Sequence, residues 1–148
     1  MLLTANDCLR ILGLPEKENS MKLFYLPTKF NLKNSVIPKK VYCNVRMIHP
    51  LIKTLTELDD EGLLYLIESW DGIFNIRKSK GSAAFYSLHA WGVALDINAK
   101  SNGYGVKPTL NPQLVAVFKK NGFDWGGEWK KPDGMHFQLT KIVFLAGV

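Results

Sequence analysis

Two stretches of the chain alternate between apolar and polar positions, and most of its candidate chemistry lies on them. From Val93 to Asn98, the apolar Val93, Leu95 and Ile97 interleave with Ala94, Asp96 and Asn98. From Met135 to Leu139, the apolar Met135, Phe137 and Leu139 interleave with His136 and Gln138. A period of two marks a half-buried strand. Asp96 then projects from the polar face of one strand and His136 from the polar face of the other. Pro132-Asp133-Gly134 is a turn signal that leads into the second strand.

Helical signals flank these strands. Thr4 as N-cap, Asp7 three residues on, and a stop at Gly13 and Pro15 predict a short helix over 4–12. Leu51, Leu55 and Leu58 predict an amphipathic helix begun by Pro50 and interrupted by Gly62, with Leu63 to Ile67 adding a further turn. Asn111 caps a third helix whose first residue is Pro112; Leu114, Val115 and Phe118 face inward, and Asn121-Gly122 ends it. Residues 16–47 read as loops with short strands at Leu23–Leu26 and Val41–Val45. Trp70-Asp71-Gly72 reads as a turn, Ile73–Arg77 as a strand, and Lys78–Ser82 as a polar loop on a cleft rim. Lys100–Thr109, with Gly103 and Gly105, reads as a flexible lip beside the Asp96 strand. The fold class expected is α+β: a small antiparallel sheet carrying Asp96 and His136 on one face, with helices packed on the other.

His89 lies seven residues before Asp96, with Gly92 between them. On a continuous helix the two would sit about 10 Å apart along the axis, too far to share an ion. A loop ended by Gly92 can instead fold His89 back toward the strand. If the two strands pair, Asp96 and His136 become cross-strand neighbours. Two imidazoles and one carboxylate then form the three-residue set of a catalytic zinc (Zn²⁺) site, whose fourth position is left to water. Asp133, in the turn three residues before His136, is free to act on that water. Glu128 is its rival as base. Ser87 either fixes the His89 loop through its hydroxyl or touches substrate. Arg77 alone reads as a solvated charge at a strand end. His49, beside Pro50, reads as structural or surface. Trp125 and Trp129 serve either as a cleft wall or as core.

The pattern S-x-H-x-x-G-x-A-x-D at Ser87–Asp96, followed by D-x-M-H-F at Asp133–Phe137, resembles the zinc peptidases that cut the peptide stems of bacterial cell walls. These are the D-Ala-D-Ala carboxypeptidases and dipeptidases and the phage L-Ala-D-Glu endopeptidases, which share a fold with the hedgehog signalling domain. The resemblance spans roughly Asp71 to Leu139. It implies that His89, Asp96 and His136 are the zinc ligands, that Asp133 is the catalytic carboxylate, and that Arg77 binds substrate. It favours Asp133 over Glu128. Gln138 departs from the family, which frequently has an acidic residue there, and the first forty residues match nothing in it.

Composition narrows the setting. At 148 residues, with 47% apolar and 22% charged positions, the chain is expected to be one soluble domain over 1–148, the role of residues 1–40 being open. Cys8 and Cys43 are too few for a disulfide framework; one bridge between them is open, and two buried thiols are the expectation. No stretch approaches the ~20 apolar residues of a membrane span, so no membrane insertion is expected. Met1–Asp7 lacks the pattern of an export signal. A cell-wall enzyme of this kind would stay in the host cytoplasm until released by holin-type or other delivery, as a phage lysin does. The net charge of +6 is spread along the chain rather than gathered in a nucleic-acid module. It suits approach to an anionic wall. The expected partner is a peptidoglycan stem peptide, not nucleic acid, and a monomer is expected. The activity expected is hydrolysis of a stem-peptide bond by an L-Ala-D-Glu endopeptidase; D-Ala-D-Ala carboxypeptidase activity and a non-catalytic zinc-stabilised binding module are the alternatives.

Overall fold

The computed structural model describes residues 1–144. The first helix, α1 (Ala5–Leu12), is closed by the expected capping box: Thr4 accepts from the Asp7 amide, and Asp7 accepts from the Thr4 amide. A hairpin of β1 (Met21–Tyr25) and β2 (Lys40–Asn44) encloses α2 (Thr28–Lys33). That helix was not legible in the sequence, because a single residue, Phe30, provides its buried side. The helix expected from Pro50 begins earlier: α3 runs Val45–Asp60 with the Asn44 side chain accepting from the Arg46 amide, and Pro50 lies inside it. The Asn44 cap decides the start, and the proline is carried within the helix.

The central sheet has four antiparallel strands in the order β3 (Trp70–Gly72), β6 (Ala94–Ile97), β8 (His136–Leu139), β7 (Phe123–Trp125). A separate hairpin pairs β4 (Lys78–Ser79) with β5 (Ser82–Tyr86). Three sequence expectations are corrected here. Trp70–Gly72 is an edge strand rather than a turn, Ile73–Arg77 is irregular rather than a strand, and the expected loop at Lys78–Ser82 is the tip of a hairpin in which Lys80 and Gly81 form the turn.

The last helix, α4 (Pro112–Lys120), is capped by Asn111 as its sequence predicts. Leu95 lies opposite Phe137 on the face turned toward α4, where Phe118 stacks on Phe137 at 4.2 Å. Stacked aromatics at this distance add to the hydrophobic gain of burial. Leu3, Cys8, Leu12, Phe30 and Ile37 enter the same buried cluster as Leu95 and Phe137, so the first forty residues pack into the common core. No helix among the described residues is long and apolar enough to cross a membrane.

Cys8 and Cys43 are free and fully buried, and burial pushes each thiol up to about 12. Near pH 8 both are protonated and shielded, and the thiolate is the reactive form. A thiol-specific chromogenic reagent is expected to label neither in the native protein and both after unfolding. Rapid native labelling would contradict this packing.

Candidate metal centre

Strand register sets the first contact. Asp96 lies directly opposite His136 in the β6–β8 pair, and Ala94 opposite Gln138. All four share the face away from α4. That face is covered rather than half-open, since every residue of both strands is buried. Its cover includes the turn that carries His89, a 3-10 turn over Leu88–Trp91. Ser87 starts this turn by accepting from the His89 amide at 3.3 Å. Gly92 ends it at φ 66°, and a side chain there would meet the Asn44 amide at 2.8 Å. A residue without a Cβ is required on both counts.

His89 Nε2, Asp96 Oδ1 and His136 Nδ1 converge, with separations of 3.1, 3.2 and 3.4 Å. Donor atoms bound ~2.0–2.1 Å from one tetrahedral ion lie roughly 3.3 Å from one another. The rings' outer nitrogens are also occupied. His89 Nδ1 is 2.8 Å from the Ile73 carbonyl, which can only accept, so this nitrogen carries the proton. His136 Nε2 is 2.9 Å from Gln138 Oε1. With both protons on the outer side, neutral rings present lone pairs to the centre. Asp96 Oδ1 is buried there with no hydrogen-bond donor. Burial opposes the charge on Asp96, and N–H donation from His136 and His89, the alternative to an ion in the centre, would hold its carboxyl well below the usual carboxylate range. Three buried acceptors that face one point with no proton between them fit a divalent cation, and the two-nitrogen, one-carboxylate set suits zinc.

Asp133 stands beside this group, 7% exposed. Its segment is pinned by the Gly126 carbonyl, which accepts from the Asp133 amide at 2.9 Å. A Cβ on Gly126 would come within 2.6 Å of the Asp133 carbonyl, so this approach needs glycine. Asp133 Oδ1 is buried without a hydrogen-bond partner, and Lys80 Nζ is 3.8 Å away. Burial raises the Asp133 carboxyl above its ordinary value, against the pull of His136 and Lys80. Glu128 lies elsewhere, exposed and paired with Lys119 at 2.6 Å.

A cavity of about 240 Å³ opens onto Asp133 and His136, with Arg77, Ser87, Lys80 and Trp129 in its wall. A second, of about 200 Å³, reaches His89 and Asp96 and also touches Arg77. The expected site residues are therefore gathered around one centre, with Arg77 between its two approaches. Trp129 lines the first cavity, whereas Trp125 stacks on Phe137 and donates to the Gly134 carbonyl. His49 is exposed on α3.

The expected flexible lip is a tethered loop instead. Its Gly105 amide donates to the Pro132 carbonyl at 2.6 Å, Tyr104 bridges to Asp133, and the Asn102 carbonyl accepts from Met135. Lys80 and Tyr104 line the cavity from the two segments expected at its rim, Lys78–Ser82 and Lys100–Thr109, though neither was singled out, and Lys131 was missed. Sequence reasoning left the support at Gln138 open, although position 138 shares the strand face of His136 and so carried a signal.

The family described as D-alanyl-D-alanine carboxypeptidase matches residues 80–139. That span holds the three converging side chains and Asp133. The match supports a zinc-dependent peptidase of the kind that acts on peptidoglycan. No curated protein and no solved structure matches the chain.

Proposed function

We propose that residues 1–148 form one zinc peptidase domain, a monomer, that hydrolyses the L-Ala–D-Glu bond of peptidoglycan stem peptides in the manner of a phage lysin. The reading rests on three buried acceptor atoms converging beside a buried carboxylate whose Oδ1 has no hydrogen-bond partner. His89, Asp96 and His136 hold the ion. Zinc there would supply Lewis acidity, polarising the scissile carbonyl and acidifying water. Asp133 accepts a proton from the attacking water and returns it to the leaving nitrogen as the C–N bond breaks. Ser87 holds the His89 turn and borders the substrate cavity.

Arg77 lines both cavities. From there it grips a substrate carboxylate or the oxyanion with paired N–H groups. Arg77→Lys is expected to leave zinc content and fold unchanged and not to restore activity, because an ammonium lacks the planar fork. Steady-state kinetics of the lysine variant near those of the native protein would return Arg77 to the solvated surface.

Cavities on both sides of the centre support an endopeptidase, whose substrate continues past the scissile bond in both directions. The first continues into a groove lined by Leu2, Leu3, Phe85 and Trp129. Arg77, Lys80 and Lys131 make its mouth basic, which suits the carboxylates of a stem peptide. A D-Ala-D-Ala carboxypeptidase needs only a pocket closed around a chain end. Purified peptidoglycan digested with the zinc-loaded protein and analysed by mass spectrometry tests the assignment. Fragments with D-Glu at a new amino terminus are expected; release of D-Ala alone would make it the carboxypeptidase. Binding without cleavage would make it a zinc-stabilised module.

A further inference from the structure

We infer that the N-terminal segment is part of the metal centre's support: the Leu3 carbonyl orients the amide of Gln138, and Gln138 thereby fixes the tautomer and orientation of His136. The inference rests on the zinc reading of the site. Gln138 is 2% exposed. Its Nε2 donates to the Leu3 carbonyl at 3.0 Å, across 135 positions of sequence. An amide can point either way until a partner settles it. A backbone carbonyl only accepts, so the NH₂ end of Gln138 must face Leu3 and its oxygen must face His136. That oxygen lies 2.9 Å from His136 Nε2 and requires the proton there. The other nitrogen, Nδ1, is left bare toward Asp96 and His89.

Leu3 is itself held. It is buried, and the next residue, Thr4, caps α1. The far end of α1 is tied to the other histidine's turn, where the Trp91 indole donates to the Gly13 carbonyl at 2.8 Å. Residues 3–13 thus bridge the supports of both imidazole ligands. A carboxylate at 138 could hold His136 equally well but would repel the Leu3 carbonyl, since it has no N–H to offer. Glutamine suits a position between a ring N–H and a carbonyl. Gln138 is a positioning residue, acting on the metal through His136.

Two variants of the full chain test this. Zinc affinity is measured by competition with a chromophoric chelator, and amide hydrogen exchange over residues 1–13 by mass spectrometry. Gln138→Leu removes both bonds, so zinc should bind ~10–100-fold more weakly and exchange around Thr4–Cys8 should quicken. Gln138→Glu keeps the acceptor, so affinity should stay within a few-fold of the native value while the same amides exchange faster. A role in packing alone would not separate the two variants in this way. Native zinc affinity in Gln138→Leu, or unchanged exchange in both variants, would overturn the inference. Should Gln138→Leu not fold, Gln138→Glu decides alone: zinc held with a loosened N-terminus sustains the link, and an unchanged N-terminus refutes it. A native protein that binds no zinc would overturn the reading of the site, and this inference with it.

Discussion

Replacing Asp133 by Asn is expected to leave zinc in place, barely move the melting temperature, and lower turnover by ~10²–10⁴-fold, the range for loss of a general base. The variant keeps the size of the side chain and the turn between Pro132 and Gly134, but its amide cannot accept the proton. Because Oδ1 is buried and unpartnered, the native carboxylate spends no hydrogen bond that the variant would lose. Glu128→Gln should cost far less, since that side chain is exposed and engaged with Lys119. Acidity adds a second readout. Burial raises the Asp133 carboxyl, and a base works only when deprotonated. Activity should therefore fall as pH drops through the titration of the Asp133 carboxyl, and the residual activity of Asp133→Asn should lack that limb. A dead Glu128 variant beside an active Asp133 variant would reverse the assignment. Loss of zinc from the Asp133 variant would make that residue a ligand.

His136→Ala should remove metal and activity together. His136 Nδ1 is one of three atoms facing the centre, and no other imidazole or carboxylate of the described residues joins the group. Two remaining ligands cannot close a tetrahedral site. The variant also strips Gln138 of the N–H its oxygen accepts from. Metal content after dialysis and hydrolysis of peptidoglycan both read the result, and zinc retained in equal amount would show that the ion is held elsewhere.

The alternation in Val93–Asn98 and Met135–Leu139 carried the strands and their faces, while the pairing that sets Asp96 against His136 was only one possibility in the sequence, because the two strands are far apart in the chain. Side chains on these strands were readable because position within a strand determines direction. The Thr4 and Asn111 caps were readable for a similarly local reason. The β4–β5 hairpin was not, since Ser82–Tyr86 has no alternating burial and three of its residues are exposed. The β3 edge strand was hidden by Asp71-Gly72, which resembles a turn until β6 pairs with it. Lys80 reaches Asp133 only because that hairpin folds over the cavity. The bond from Gln138 to Leu3 had no sequence signal at all, because a backbone carbonyl at 135 residues' distance leaves no residue-type preference.

Peptide hydrolysis by this chain is expected to depend on an ion held by His89, Asp96 and His136. The most direct test of this dependence follows the release of stem fragments from purified peptidoglycan by native protein, by protein stripped with a chelator, and by stripped protein given one equivalent of zinc. Cleavage should be lost on stripping and restored by that equivalent. Equal cleavage by the stripped protein, with its metal content verified as nil, would show that hydrolysis needs no ion at this site.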